Sequence, residues 1–311
     1  MDTSNEDEIN KFLISYYKSF GLRYSLDSTW FKWFYNDNPS GKCVNYILTN
    51  ENNEIIGAFG YSIFSYSFNE VEKKGVIGIN GFINPDYTGL GLYTDLILET
   101  LKDIHRKYDL AFSFPHSDNL GSVKGHINSE WKFTNDFYFY VKNIKPKEII
   151  SIDENILESK FECLRNYKFS RRPESFFIKS FEWLNWRFYE RPDKDYEVFI
   201  YKNSHNIIEG YVVYTLYQDK SGLKRFQIAD YDYIKNEVFM KLLAKVSQLG
   251  SKYKCSTFEF LVNEEHFDTE ILLKESYVKK EESYKMFVNG DLAKLNINRN
   301  FKFEFGYFDV V

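Results

Sequence analysis

Phe82-Ile-Asn-Pro-Asp-Tyr-Thr-Gly-Leu-Gly-Leu-Tyr93 closes an apolar run and opens an amphipathic one. Gly89 and Gly91 can take positive φ and leave backbone N–H groups uncovered, and a helix starting near Leu92 adds the positive end of its dipole. That helix is predicted from Leu92, Tyr93, Leu96, Ile97, Thr100, Leu101 and Ile104, which recur at spacings of three and four and form one apolar stripe. Residues 75–85 before it read as a strand. A strand, a glycine turn and a helix in that order cradle a diphosphate or, more plainly, make a tight turn. On the first reading the guest is a phosphate-bearing cofactor.

Downstream, Leu110-Ala-Phe-Ser-Phe-Pro115 reads as a short strand. It is followed by Asn119-Leu-Gly-Ser122-Val-Lys-Gly-His126-Ile-Asn-Ser-Glu-Trp131 and by an aromatic strand over 137–141. This order resembles the GNAT N-acetyltransferase superfamily, whose glycine loop reads Q/R-x-x-G-x-G/A and whose later segment reads N-x-x-A-x-x-x-Y-x-x-x-G-F. Thr88 stands in the Gln/Arg slot, Gly91 keeps the central glycine and Tyr93 replaces the final small residue. Asn119, Ser122, His126 and Trp131 fall on the later motif, with His126 in the tyrosine slot.

A second regularity sets the architecture. Displacing the chain by 153 residues lays Trp30 on Trp183, Trp33 on Trp186, Pro39 on Pro192, Asn50 on Asn203, Asn53 on Asn206, Ile55 on Ile208, Gly57 on Gly210 and Tyr61 on Tyr214. Chance would give about two such identities over that span. Each copy reads as a helix end carrying a Trp pair, a Pro-marked turn and a hairpin, centred on Glu51-Asn-Asn or Ser204-His-Asn. Copy two continues with a strand from Arg225, a helix with Phe239, Leu242, Leu243, Val246 and Leu249 on one face, and a strand over 256–262. Its strand-to-helix turn, Asp230-Tyr-Asp-Tyr-Ile-Lys-Asn236, has no glycine. Bulky side chains there are expected to cover the amides, and Asp230 and Asp232 to repel a diphosphate.

The resemblance is therefore to tandem GNAT proteins with one working and one degenerate half. It implies an α/β (α+β mixed sheet) fold of two GNAT-like domains, residues 1–146 and 147–311, each a mostly antiparallel sheet flanked by helices. The boundary falls near Pro146 and Lys147.

Composition narrows the class. With 311 residues, 43% hydrophobic, the chain is globular and long enough for two domains. Its net charge is −5 and its 40 basic residues form no long run, so counterion-driven nucleic-acid binding is not expected. Cys43, Cys163 and Cys255 are odd in number and far apart, which argues for buried free thiols rather than disulfides or a Cys-based metal site. The acidic N-terminus lacks an apolar segment, and no stretch approaches the ~20 apolar residues of a membrane span, so a cytoplasmic location is expected. Fifty-five Tyr and Phe residues are read as core.

The resemblance implies acetyl coenzyme A as co-substrate, lying between the splayed fourth and fifth strands of the first copy. Backbone near Phe82 and Ile83 would bond pantetheine and polarise the thioester carbonyl. Thr88, Gly89, Leu90, Gly91, Leu92 and Tyr93 would hold the pyrophosphate, and Asn119 would cap the short helix or meet the pantetheine end. A primary amine is mostly protonated at pH 7, so a base is needed. The run 76–83 holds no carboxylate. His116, the C-terminal carboxylate of Val311 and water are the candidates, the plain readings of the first two being a loop histidine and an edge strand. His126 is the candidate acid for the leaving thiolate, and no metal site is expected.

The expected activity is acetyl transfer to a primary amine of a small acceptor. Trp-x-x-Trp with Asn38-Pro39 and Phe114-Pro115 resembles GNAT proteins of surface-polysaccharide synthesis, which favours an amino sugar. The alternatives are a coenzyme A-binding sensor or scaffold, or a GNAT-fold transferase with another acyl or aminoacyl donor.

Overall fold

The computed structural model describes residues 5–21, 26–68, 70–144, 155–168, 177–218, 222–264 and 269–290. Helix α1 (Glu6–Phe20) starts at Asn5, whose side chain accepts from the Asp7 N–H at 3.0 Å, and ends at Gly21 with φ +74°. Three acidic residues in its first turn suit the positive end of the helix dipole. Helix α2 (Ser28–Asn36), capped by Asp27, turns Trp30, Phe31, Trp33, Phe34 and Tyr35 inward. Then come β1 (Val44–Thr49), β2 (Ile55–Phe68), β3 (Val71–Ile83), α3 (Leu92–Ile104), β4 (Ala111–Ser113), α4 (Leu120–Asn128) and β5 (Lys132–Asn143). The second half repeats the plan: β6 (Ile156–Ser159), the short α5 (Phe181–Leu184) running into a π-helical turn, β7 (Glu197–Lys202), β8 (Ile208–Gln218), β9 (Lys224–Tyr233), α6 (Asn236–Lys252), β10 (Thr257–Asn263), α7 (Thr269–Lys274) and β11 (Val278–Asn289).

All eleven strands of the described residues join one mixed sheet, ordered β1-β2-β3-β4-β11-β5-β10-β9-β8-β7-β6. Only β3 with β4 and β9 with β10 run parallel; the other neighbours are antiparallel. The order reveals an exchange. The last strand of the second half, β11, pairs with β4 of the first (Phe287 opposite Ser113), while β5 of the first half pairs with β10 of the second (Phe137 opposite Asn263). Each half thus completes the other's sheet, and the expected boundary at Pro146 and Lys147 lies outside the described residues.

The repeat is reproduced down to single bonds. Asn53 and Asn206 both have φ +61°. In both hairpins the opening Asn (Asn50, Asn203) closes the loop with a 3.0 Å backbone bond and accepts on its side chain from the amide two residues on. Trp30, Trp33, Trp183 and Trp186 are buried, and one apolar cluster under α1, α2 and α5 draws residues from both halves. Separate clusters lie under α3 and α4 and under α6. Cys43 and Cys255 are buried as expected; Cys163 is exposed, because its 3₁₀ turn (Phe161–Leu164) faces only Phe161 and Leu164 inward. Among the described residues no helix is long and apolar enough to cross a membrane.

Candidate active site

The cradle forms where the sequence places it. Asn84 carries the chain off β3, its amide donating to Ile56 O at 2.7 Å and its side chain accepting from Asp86 N. A 3₁₀ turn over Pro85–Tyr87 follows, and Thr88 Oγ1 donates to Pro85 O at 2.9 Å. The threonine hydroxyl is therefore committed to the turn. Asp86 is paired with Lys18 at 2.6 Å, so its charge is countered beside the loop. Gly89 and Gly91 both have φ +80°, a conformation that side chains resist, and no atom lies within 4 Å of where a Cβ would stand on either. Gly91 is the N-cap of α3 and supplies no capping side chain. The first-turn amides of α3 have no partner within the helix, and Leu90 and Gly91, which lead into it, are exposed.

Beside the cradle the sheet parts. Strand β3 pairs with β4 only at Val76, Ile77 and Gly78, opposite Ala111, Phe112 and Ser113. Past that point β3 stays with β2 as far as Ile83, through a bulge at Asn80 (φ +49°) and Gly81. The chain beyond β4 instead follows β11, with Lys285 N on Pro115 O at 2.9 Å and Ser117 N on Ser283 O at 2.8 Å. A wedge opens between them. Among the described residues no strand pairs with the edge of β3 that faces it, the edge carrying Phe82 and Ile83.

His126 roofs the wedge. Its ring lies 6.0 Å from Phe59 of β2 and 5.3 Å from Phe287 of β11, so it spans the two strands between them, β3 and β4. Asn119 caps α4 through Ser122 N at 3.1 Å, and this sets the helix over the gap. His126 is 1% exposed, and its Nδ1 lies 2.7 Å from Ser122 O. Because a carbonyl only accepts, Nδ1 carries the proton and Nε2 a lone pair. Burial lowers the pKa to about 4. An imidazolium to act as the acid is thus not available at neutral pH, since its charge would sit in a cage of Phe59, Tyr93, Trp131 and Phe287. Nε2 and the nearby Trp131 Nε1, an acceptor and a donor, are both buried without a hydrogen-bond partner among the described residues. Glu130, just before Trp131, has φ +66°.

Tyr93 does not line the cradle. It turns inward from α3, its ring 6.0 Å from Phe59 and its hydroxyl 3.0 Å from Ser122 Oγ. His116 stands apart from this group. It bridges to β11 opposite Tyr284, packs edge-on against that ring at 5.2 Å, and accepts on Nδ1 from Asp118 N at 3.3 Å. The carboxylate of Val311 lies outside the described residues.

The second half has the same parting of strands, since β9 pairs with β10 only over 225–227, but it has no cradle. Ile234 N bonds Glu209 O at 3.0 Å, the counterpart of Asn84 on Ile56, and α6 begins two residues later rather than eight. The whole loop equivalent to Pro85–Gly91 is absent. Asp230 and Asp232 do not guard that turn: both are buried on β9, and Asp230 binds Lys179 Nζ and Tyr211 Oη, each at 2.7 Å. Its charge is neutralised inside rather than presented at the helix start. Among the described residues no group of three His, Cys, Asp or Glu is placed to hold a metal ion.

A parted mixed sheet with a glycine turn at a helix start is the architecture of the GNAT acyltransferase fold. Solved structures with that fold match nearly the whole chain. They include a probable N-acyltransferase of Enterococcus faecalis V583 (TM-score 0.69, 17% identity, 92% of this chain and 71% of that one). A GCN5-related N-acetyltransferase of Anabaena variabilis (0.65, 11%, 91% and 70%) and Saccharomyces cerevisiae N-myristoyltransferase with bound myristoyl-CoA (0.64, 9%, 93% and 77%) also match. No protein-family model and no curated protein sequence matches the chain.

Proposed function

We propose that the protein transfers an acyl group, acetyl by preference, from coenzyme A to a primary amine of a small acceptor, with an amino sugar as the leading candidate. The observation that carries this reading is the meeting of an open amide cradle, residues 88–92, with the unpaired edge of β3 at the mouth of the wedge. The two fit the two ends of one extended ligand. A diphosphate suits free amides at a helix start, and an amide-bearing pantetheine arm suits a strand edge that lacks its partner.

In this reading the main-chain N–H groups between Gly81 and Ile83 that lie on the unpaired side of β3 stabilise the oxyanion that forms when the amine attacks the thioester carbonyl. Collapse breaks the C–S bond, and the amine proton passes to a base. His116 is one candidate: its Nδ1 accepts from the Asp118 amide, which puts the ring proton of the neutral form on Nε2. It therefore relays a proton only by changing tautomer or charge, and water is the simpler acceptor. The second half completes the sheet and the shared core rather than binding a cofactor of its own.

The test is release of free thiol from acetyl coenzyme A across a panel of amines that includes amino sugars, run beside octanoyl and myristoyl thioesters. Acetyl transfer to one amine class supports the reading. Thiol release with no amine dependence, or none at all with any donor, removes it.

A further inference from the structure

We propose that Asn80 binds the acceptor amine, its side-chain Oδ1 taking one N–H of the nitrogen that attacks the thioester; this rests on the acyl-coenzyme A reading above. Asn80 has an exceptional backbone. Among the described residues seven other than glycine have positive φ, and six of them, Asn53, Glu70, Glu130, Asn206, Lys254 and Ser276, lie in turns or bends. Asn80 alone lies inside a strand, at φ +49° near the C-terminal end of β3. Glycine would take that conformation without strain, and the chain places a glycine at the very next position instead. Strain held within a rigid element points to a use for the side chain that brings it.

The side chain is also aimed. On the α3 side of the wedge a methyl group on Gly78 or on Gly81 would collide with the Phe59 ring, so that side is filled. Asn80 turns the other way, toward α2, where its Nδ2 donates to Tyr35 Oη at 2.9 Å. Tyr35 is fully buried, stacked on Phe31 at 4.3 Å and edge-on to Phe12 at 6.0 Å, which makes it a fixed anchor. With Nδ2 engaged, Oδ1 is the group that Asn80 offers to the wedge. Solvent reaches this stretch: Gly78, Asn80, Gly81 and Ile83 are half-buried, whereas Ile77, Ile79 and Phe82 are buried. From Val76 to Ile83 Asn80 is the one residue with a polar side chain. The second half has neither the exposure nor the strain, since β9 is buried without interruption from Phe226 to Tyr233 and none of its residues has positive φ.

The neighbouring backbone brings the acceptor to this residue. With the thioester oxygen on main-chain N–H groups between Gly81 and Ile83, the nitrogen that attacks its carbon from about 3 Å comes within reach of residue 80. One N–H of the neutral amine bonds Oδ1, and the lone pair is left for the carbonyl carbon. As the N–C bond forms, nitrogen gains positive charge, which the oriented carboxamide dipole favours. A second N–H proton then passes to the base or to water, the C–S bond breaks with its electron pair on sulfur, and Asn80 ends the reaction as it began. A carboxamide suits this better than a carboxylate, because it does not hold the amine as an ammonium ion.

The test is steady-state acetyl transfer to the amine that the panel above selects, followed across the neutral and mildly alkaline range on the parent, Asn80→Gly and Asn80→Asp. Coenzyme A binding by calorimetry and thermal unfolding are measured beside it. Asn80→Gly should bind coenzyme A as the parent does and melt close to it, because relief of strain at φ +49° offsets the lost bond to Tyr35. Its amine KM should rise about tenfold, the effect of one lost hydrogen bond. Asn80→Asp should shift the pH profile of kcat upward by about one unit, because a carboxylate raises the pKa of the bound amine. A merely structural role moves neither. An amine KM in Asn80→Gly equal to the parent's, or coenzyme A binding weakened as much as transfer, overturns this role while the acyl-coenzyme A reading stands. Should Asn80→Gly fail to fold, an unmoved kcat profile in Asn80→Asp overturns it. A parent that binds coenzyme A but acylates no amine overturns the role of Asn80 together with the amine acceptor, and a parent that binds no coenzyme A overturns the acyl-coenzyme A reading itself.

Discussion

Trp33 and Trp186 hydrogen-bond each other reciprocally: Trp33 Nε1 donates to Trp186 O at 2.8 Å, and Trp186 Nε1 donates to Trp33 O at 3.0 Å. Their rings stack at 5.4 Å. A contact in which residue i meets j as j meets i is the mark of a two-fold relation. Here it lies inside one chain, between residues 153 apart. The exchange of β5 and β11 has the same symmetry.

Replacing either tryptophan by phenylalanine keeps most of the ring stack but removes one buried hydrogen bond between the halves; Trp33 O keeps its bond from Asp37 N at 3.3 Å. Trp33→Phe and Trp186→Phe should each cost about 0.5–1.5 kcal/mol in urea unfolding, the usual net contribution of one buried hydrogen bond. The double variant should cost clearly more than either single, because each donor serves a different carbonyl. A neutral result for either single change would show that the reciprocal pair does not tie the halves.

Strand exchange makes a prediction about fragments. Residues 5–144 alone would expose the β4 edge that β11 covers and the β5 edge that β10 covers. Open edges of that kind pair with other chains. The fragment should therefore aggregate when expressed alone, and should become soluble and folded when co-expressed with residues 155–290. An amide-exchange experiment showing a stable monomeric first half would contradict this.

His126 should leave a signature in acid. Burial holds its folded pKa near 4, against 6.5 in the unfolded chain, so between those values the unfolded state binds more protons. Stability is complete above pH 6.5 and falls as pH drops toward 4, by at most about 3 kcal/mol for a shift of this size. Unfolding free energies measured at pH 7, 5.5 and 4.5 should show this loss, and His126→Phe should flatten that part of the profile. An equally steep fall in the variant would place the acid sensitivity elsewhere.

Much of this was legible in the letters, for particular reasons. Gly89 and Gly91 announce their φ because few other residues tolerate it, and the stripe from Leu96 to Ile104 announces a helix by its period. The hairpins at Asn50 and Asn203 are visible because duplication kept the residues that close them. What failed to show is non-local. Nothing in the sequence of β11 says that it lies beside β4 of the other half, since strand pairing depends on edges far apart in the chain. Tyr93 and His126 mislead when read slot by slot. The inward turn of Tyr93 depends on Gly81 and Gly125, which belong to other elements, and the lowered pKa of His126 depends on Phe287 of β11 among others. Asp230 likewise reads as a charge at a turn until Lys179 is seen beside it.

The most direct measurement is calorimetric titration of coenzyme A into the parent and into Gly91→Glu. The variant would carry a side chain and a negative charge into the cradle at φ +80°, where the parent leaves open space. One equivalent should bind the parent, and affinity should fall at least tenfold in Gly91→Glu while the fold persists by circular dichroism. Absence of binding in the parent, or equal binding in the variant, would contradict the cradle as the coenzyme A site.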